Sequence, residues 1–164
     1  MPVVSNTSPL LGLAAIEQLD LLRKQFGEIL IPPAVLQELK LDTDFIGTKS
    51  IRQAMDVGWL RVEVISNVYL VQSLRIDLDW GESEAIALAI ERGILKIVMD
   101  ERDGRTKAKA MGLSPIGVIG ILLRAKKSGD LASVSQALQA LKSSVGFFIS
   151  RAFQDEVLRE AGEK

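Results

Sequence analysis

The sequence predicts an α/β fold in which a central, mostly parallel sheet lies between helices. Short apolar runs alternate along the chain with longer stretches of helical periodicity, and this alternation indicates βαβ units. Gly and Pro residues separate many of these segments, as is typical of turns. The 164 residues contain no internal repeat, low-complexity tract or long linker, so we expect one domain over residues 1–164.

Five short runs are predicted to be strands, and each is followed by a helical stretch. The strands are expected at residues 2–5, 28–31, 60–65, 94–99 and 114–116. The helices are expected at residues 10–26, 33–40, 48–57, 67–75, 79–92, 103–111, 118–127, 131–144 and 151–161. Ser8 followed by Pro9 is typical of a helix start, and the first helix is expected to break near Glu17–Leu19.

A capping box is the clearest local signal in the chain. Asp79 with Glu82 has this pattern at a helix start, and Gly93 stands where a helix commonly ends in the left-handed conformation. The apolar run Ile94–Met99 then predicts a strand buried on both faces, and Asp100 follows it directly. Because the carboxyl ends of strands form the ligand crevice of open α/β sheets, we expect Asp100 to lie there.

The composition excludes several kinds of chemistry. The chain has no cysteine and no histidine, which rules out a thiol nucleophile, a disulfide, a Cys-based metal site and a Ser-His-Asp triad. The net charge of −1 gives no overall basic field for nucleic acid. No apolar run approaches the ~18 residues of a membrane span, and we find no signal peptide. We therefore expect a cytoplasmic protein without membrane contact.

Oxygen-bearing side chains recur at positions that this fold would bring to one crevice. Asn6 and Asp100 directly follow predicted strands, Glu38 and Glu82 lie in predicted helices, and Asp103 follows Asp100 closely. Carboxylates crowded into one crevice raise each other's pKa, and a cation neutralises them. A ligand set made only of oxygen suits Mg²⁺ or Mn²⁺. Such ions support phosphodiester hydrolysis, so this pattern favours a metal-dependent hydrolase.

Four stretches, taken together, resemble the PIN-domain superfamily. They are VVSNTSPLLGLA (3–14), IPPAVLQEL (31–39), GESEAIALAIERGILKIVMDERDGR (81–105) and GVIGILLRAKKSGDL (117–131). Within the superfamily the chain is similar to a prokaryotic branch of predicted nucleic-acid-binding proteins related to VapC-type toxins. Members of that branch open with V-S-N/D-T-S-P-L and continue with G-E-x-E-A-I-x-L-A, and this similarity covers nearly the whole chain.

The resemblance implies a fold and an activity. The fold is a PIN-like three-layer α/β/α sandwich with a central mostly parallel sheet. The activity is that of a metal-dependent ribonuclease using Mg²⁺ or Mn²⁺, and many such proteins are the toxin of a toxin–antitoxin pair with a cognate antitoxin protein as partner. We also expect a homodimer, for which Leu11, Ala15, Ile16 and residues 119–123 offer apolar surface, although they are equally good core residues.

The resemblance also assigns site residues by position. The metal ligands and the supplementary acid correspond to Asn6, Glu38, Glu82, Asp100 and Asp103, and the supporting hydroxyls to Thr7 and Ser8. Asp100, Glu82 and Glu38 are the expected catalytic carboxylates. Active PIN domains generally have Asp where this chain has Asn6. An amide carbonyl can coordinate Mg²⁺ but brings no negative charge, so this departure bears on catalysis more than on the fold.

Each of these residues also has a structural alternative. Asn6 and Asp103 are both suited to helix N-caps. The alternative for Glu38 is an exposed helix carboxylate. The alternative for Glu82 is that it serves only as the partner of Asp79 in the capping box.

The basic residues and the function have alternatives as well. Arg102, Arg105 and Lys107 are expected to hold the RNA backbone, or else to form a solvated helix face. The function alternative is a catalytically weak or inactive PIN-fold module that binds RNA or a partner protein. A receiver-like phosphoacceptor is a third hypothesis, and it is disfavoured because the first strand ends in Asn6 rather than in an acid.

Overall fold

A five-stranded sheet forms the centre of the protein in a computed structural model that describes residues 1–164. The strands are β1 (Val3–Ser5), β2 (Ile29–Ile31), β3 (Leu60–Val62), β4 (Lys96–Val98) and β5 (Ser114–Ile116). The helices are α1 (Thr7–Ala15), α2 (Asp20–Phe26), α3 (Pro33–Leu39), α4 (Thr48–Val57), α5 (Val68–Leu74), α6 (Trp80–Arg92), α7 (Arg102–Ala110), α8 (Val118–Ser128), α9 (Val134–Val145) and α10 (Arg151–Glu160). The strand order is β3-β2-β1-β4-β5, and every neighbouring pair is parallel. The expected parallel sheet is therefore confirmed.

Each face of the sheet has its own hydrophobic core, because successive residues of a strand point to opposite faces. Val3 and Ile29 belong to the larger core, together with residues of α1–α4 and α8–α10. Their neighbours Val4 and Leu30 belong to the smaller core, together with residues of α5, α6 and α7. This arrangement is the predicted three-layer α/β/α sandwich.

The order of the strands reverses between β1 and β4. The chain runs outward from β1 through β2 to β3 and then returns to place β4 on the other side of β1. The register pairs Ser5 with Val98, and the Asn6 amide donates to the Val98 carbonyl at 2.9 Å. Asn6 and Asp100 therefore leave adjacent strands at the switch point, which is where α/β sheets form their ligand crevice.

The local signals around α6 are confirmed. Asp79 Oδ1 accepts from the Glu82 amide at 2.8 Å, and Glu82 Oε1 accepts from the Asp79 amide at 3.3 Å, which completes the capping box. Gly93 ends the helix with φ of 66°, in the left-handed region that glycine adopts without strain.

Two boundaries near the crevice differ from the expected ones. Helix α1 begins at Thr7 with Asn6 at the N-cap position, so Ser8 is already helical and does not cap the helix. The expected break in the first long helix is confirmed, since α1 ends at Ala15 and α2 begins at Asp20. Helix α7 begins at Arg102 with Glu101 at the N-cap position, so the alternative that Asp103 caps this helix is wrong.

Strand β3 is shorter than the expected 60–65. The ladder with β2 ends with the Glu63 amide donating to the Ile31 carbonyl at 2.9 Å. Beyond Ile31 the partner chain continues as Pro32-Pro33, and proline has no N–H to extend a ladder.

The C-terminal segment is tied to the start of α9 by one carboxylate. Glu163 accepts from the backbone amides of Val134 at 2.6 Å and Ser135 at 3.0 Å, and the Lys126 ammonium lies 3.2 Å away. Burial alone would raise the pKa of Glu163, but these hydrogen bonds lower it to about 2. None of the helices has the length and apolar character needed to cross a membrane.

Candidate functional site

Asn6 occupies the N-cap position of α1 without acting as a cap. Its side chain makes no capping hydrogen bond, and the residue is only 4% exposed. The neighbouring Ser8 hydroxyl is also buried and has no hydrogen-bond partner. Since buried polar groups are normally paired, the Ser8 hydroxyl is a polar group without a structural partner at the switch point, and the Asn6 side chain lies beside it without capping the helix.

Glu38 is a bridge between three helices, which corrects the alternative that it is an exposed carboxylate. It is half-buried and accepts hydrogen bonds from the Thr7 hydroxyl of α1 and from the Gly81 amide of α6 at 3.2 Å. A Cβ atom at Gly81 would collide with the Glu38 carboxylate. The glycine therefore permits the close approach of α3 to the first turn of α6.

Glu82 has one oxygen in the capping box and one that is not hydrogen-bonded. The residue is 6% exposed, and its Oε2 atom lies against Gly104 of α7, where an added Cβ would come within 2.7 Å of it. Desolvation, reinforced by the negative charges of Asp79 and Glu101, raises the pKa of Glu82 from 4.5 to about 7. Its capping role is thus confirmed, and it leaves Oε2 for a second role.

Asp100 connects the end of β4 to the start of α8. Its Oδ1 atom accepts from the Val118 amide at 2.8 Å. Burial raises the pKa of this carboxyl, while the Val118 hydrogen bond and the nearby Arg105 guanidinium act against that shift. Arg105 itself donates to the Met99 carbonyl at 3.0 Å, so a cation is fixed beside Asp100 by the backbone of the preceding residue.

Glu101 is a site residue that the sequence reasoning missed. Its charge raises the pKa of both Glu82 and Asp100, and it lines a cavity of about 460 Å³ together with Ser8 and Asp100. Asp103, which the resemblance assigns as the supplementary acid, is exposed in the first turn of α7. The available signal was the acidic pair that directly follows the β4 run.

The donor chemistry of this crevice fits a divalent cation, but the acids do not form a ready cage. No group of three acidic side chains lies close enough together to hold a metal ion. Burial is the main cause of the raised pKa values of Glu82 and Asp100, and a bound cation would favour the anionic form of both carboxyls. The Asn6 amide and Glu82 Oε2 have no hydrogen bond to give up, and oxygen donors suit Mg²⁺ or Mn²⁺.

The three predicted RNA-binding residues differ in what surrounds them. Arg105 is half-buried beside Asp100 and lines a cavity there. Arg102 is exposed and has no ion pair. Lys107 is paired with Asp77 at 3.1 Å, on the side of α7 that faces the end of α5. Arg105 is therefore the best placed of the three to meet a ligand in the crevice.

A groove lined by aromatic residues opens at Asp100, and the sequence analysis did not anticipate it. This aromatic groove has a volume of about 580 Å³, and its lining includes Asp100, Arg105, Arg124, Phe147, Phe148 and Phe153. The smaller cavity at Ser8 and Glu101 shares Asp100, Phe147 and Phe148 with it. Of residues 119–123, for which dimer surface and core are the two alternatives, Ile121 and Leu122 are buried in the core, whereas Ile119, Gly120 and Leu123 are half-buried and line this groove.

The fold and the site together define an α/β protein whose switch-point crevice carries acidic side chains. A family model described as PIN domain, DUF3368, matches residues 2–163. The chain therefore belongs to the PIN domain family, a fold typical of metal-dependent nucleases whose members generally use divalent metals. Comparison with curated proteins finds no match, and comparison with solved structures finds none either.

Proposed function

We propose that this protein is a metal-dependent ribonuclease that hydrolyses phosphodiester bonds of RNA. The observation that supports this most strongly is that two carboxyls with raised pKa, the buried Glu82 and the half-buried Asp100, lie in the same crevice as Asn6, whose side chain does not cap its helix. Together these groups place oxygen donors at the edge of the sheet where α/β folds bind ligands.

In this proposal Asn6, Glu38, Glu82 and Asp100 hold Mg²⁺ or Mn²⁺. The ion supplies Lewis-acid stabilisation of the phosphate and lowers the pKa of attacking water. The Thr7 hydroxyl and the Gly81 amide orient Glu38, and the Val118 amide orients Asp100. Arg105, held on the Met99 carbonyl, neutralises charge on the RNA backbone.

The experiment that tests this proposal is cleavage of a mixed RNA panel with Mn²⁺, with Mg²⁺ and with EDTA. Cleavage that needs the metal and disappears in Asp100→Asn supports the nuclease. Asp42→Asn is the matched control, because Asp42 is an exposed acid of the loop before α4. Absence of cleavage across the panel, together with no metal-induced rise in Tm of the folded protein, contradicts the proposal.

The second candidate is a catalytically weak PIN-fold module that binds RNA or a protein through the same crevice. Two observations favour it: Asn6 brings no charge to the site, and the acids do not converge in a group of three. RNA binding that is retained in Asp100→Asn without any cleavage by the unaltered protein is the result that distinguishes this module from the nuclease.

The toxin role is a proposal that extends the nuclease. If the protein is the toxin of a toxin–antitoxin pair, inducing it alone arrests growth of the host cell. A cognate antitoxin protein, expressed with it, then restores growth. Growth unaffected by an induced protein that cleaves RNA in the test tube contradicts the toxin role and leaves the nuclease in place. The expected homodimer is tested separately by the mass of the protein in solution.

A further inference from the structure

We propose that the aromatic groove is a base-stacking subsite for single-stranded RNA beside Asp100. In this arrangement nucleobases stack on Phe148 and Phe153, while Arg105 and Arg124 hold the intervening phosphates. This inference rests on the proposed function, which makes RNA the ligand of the crevice, and it adds how the RNA is held there.

Two of the three phenylalanines that line the groove are exposed to solvent. Phe148 is 72% exposed and Phe153 is 44% exposed, although both line the same concavity. Phe147, between them and the core, is half-buried and packs against the larger hydrophobic core. The Lys142 ammonium lies 5.7 Å from the centre of the Phe148 ring, which leaves the opposite face of that ring and the exposed Phe153 ring as π-faces on which bases stack.

The two arginines of the groove are not held in salt bridges, although Arg105 lies near Asp100. Neither Arg105 nor Arg124 forms an ion pair, in contrast to Lys126, which is paired with Glu163. The only acid in the lining is Asp100, at the end that meets the candidate metal site. A neighbouring cavity of about 540 Å³ shares Arg124 and continues to Lys127. Glu160 is the one acid in the lining of that cavity, so basic residues outnumber acidic ones along this side of α8.

A single-stranded polyanion fits this combination better than a duplex or a peptide. Bases in a duplex are already stacked on one another, whereas unpaired bases are free to stack on aromatic side chains. The groove volume of about 580 Å³ lies within the roughly 300–1,000 Å³ range of small-ligand sites, which suits one or two nucleotides. Unpaired arginines favour phosphates over the mixed charges of a polypeptide.

The position of the groove relative to Asp100 decides which nucleotides it takes. Asp100 lies at its mouth, and Gly117 leaves room there, since a Cβ atom would lie 3.0 Å from both Asp100 Oδ1 and the Arg105 guanidinium. The groove therefore accommodates nucleotides that directly flank the phosphate at the candidate metal site. Its aromatic residues set a requirement for unpaired bases on one side of the cleaved bond.

The test is binding of a fluorescently labelled single-stranded RNA oligonucleotide in EDTA, so that cleavage plays no part. We expect Phe148→Ala and Phe153→Ala each to weaken binding about tenfold, within the range for one base–aromatic stack, and Phe148→Trp to retain it. Phe45→Ala is the matched control, since Phe45 is 56% exposed in the loop before α4. Arg124→Ala is expected to reduce the dependence of log affinity on log salt by about 0.7, the value for one phosphate contact on a single strand.

A second measurement reports stacking directly. An oligonucleotide carrying 2-aminopurine should lose fluorescence when it binds the unaltered protein, and Phe148→Ala should abolish that loss. Equal affinity in Phe148→Ala, Phe153→Ala and Phe45→Ala, binding without quenching, or no binding by the unaltered protein each overturns the subsite. Equal affinity in these variants is also the result expected of a groove that binds a polypeptide.

The two proposals fail in different ways. Metal-dependent cleavage with unchanged affinity in the phenylalanine variants leaves the nuclease and removes the subsite. Phenylalanine-dependent binding without any cleavage leaves the subsite and removes the nuclease.

Discussion

The carboxylate of Asp100 accepts a hydrogen bond from the backbone amide of Val118 at 2.8 Å. This contact joins the carboxyl end of β4 to the first turn of α8, where backbone amides otherwise have no intrahelical partner. Asp100 therefore stabilises the wall of the aromatic groove as well as presenting an oxygen to the crevice. The same residue has a structural role and a proposed catalytic one, and substitutions separate the two.

The first prediction concerns Asp100→Asn and Asp100→Ala. Both remove the anionic oxygen, so both should abolish metal-dependent cleavage. The Asn side chain still offers an acceptor to the Val118 amide, whereas Ala leaves that amide unpaired. The Ala variant alone should lose about 1–2 kcal/mol of unfolding free energy, measured by urea denaturation. Equal losses of stability in the two variants would contradict the capping role.

The second prediction concerns Asn6→Asp. A charged oxygen at this buried position should raise Mn²⁺ affinity at least about tenfold, or about 1.4 kcal/mol, and should lower Tm in EDTA because the new charge is then uncompensated. Isothermal titration with Mn²⁺ measures the first effect and thermal melting the second. Asn67→Asp is the matched control, since Asn67 caps α5 through an oxygen that Asp retains. An unchanged Mn²⁺ affinity would show that Asn6 does not contact the ion.

The third prediction is a pH dependence that belongs to Glu82. Its pKa is about 7 in the folded protein against 4.5 as the ordinary value, so between these values the folded state binds more protons than the unfolded state. The stability of the metal-free protein should therefore fall as the pH rises from about 4.5 to about 7. Above about pH 7 the ionisation of Glu82 is complete and should change the stability little further.

Thermal melts in EDTA across that window compare the protein with Glu82→Gln, in which this slope should flatten. Glu156→Gln, at an exposed position of α10, should keep the slope. The same deprotonation frees Glu82 to bind a cation, so the Mn²⁺-induced rise in Tm should grow over the same window. A slope that persists unchanged in Glu82→Gln would assign it to another group.

The fourth prediction concerns Glu163, whose pKa is lowered to about 2. A lowered folded-state pKa stabilises the fold above the ordinary value of 4.5, and this stabilisation is lost as the pH falls towards about 2. Glu163→Gln should cost about 1.5–3 kcal/mol at neutral pH, the range for hydrogen bonds to a charged group. The difference from the unaltered protein should vanish in acid.

Urea denaturation at neutral and acidic pH makes this measurement, with the exposed Glu160→Gln as control. RNA binding by Glu163→Gln also tests whether the pairing of Glu163 with Lys126, near the groove, affects RNA affinity. A variant as stable as the unaltered protein at neutral pH would show that the C-terminal contact does not stabilise the fold.

The features that could be predicted from sequence are those made by neighbours along the chain. Asp79 and Glu82 are three residues apart, and Gly93 acts on the helix it ends, so local geometry alone specifies the capping box and the stop. The positions of Asn6 and Asp100 after β1 and β4 follow from strand–helix alternation. The strand order then brings both to the switch point.

The features that could not be predicted depend on pairs distant in sequence. Glu38 bonds Thr7 across 31 residues and Gly81 across 43, and Phe148 and Arg105 line one groove whose wall is formed by α8. The influence of Glu101 on the pKa values of Glu82 and Asp100 likewise depends on how α6 and α7 pack.

The sequence by itself determined the α/β class, the ends of α6, the family and the set of oxygen donors, because period, capping and residue type are local properties of the chain. Tertiary structure alone decided how those donors are arranged. Packing of α3, α6, α7 and α8 around the switch point brings Glu38 to Gly81 and buries Glu82. It also leaves Phe148 and Phe153 exposed in the groove that begins at Asp100. The physical reason is that burial and charge compensation depend on which surfaces meet, and no single segment contains that information.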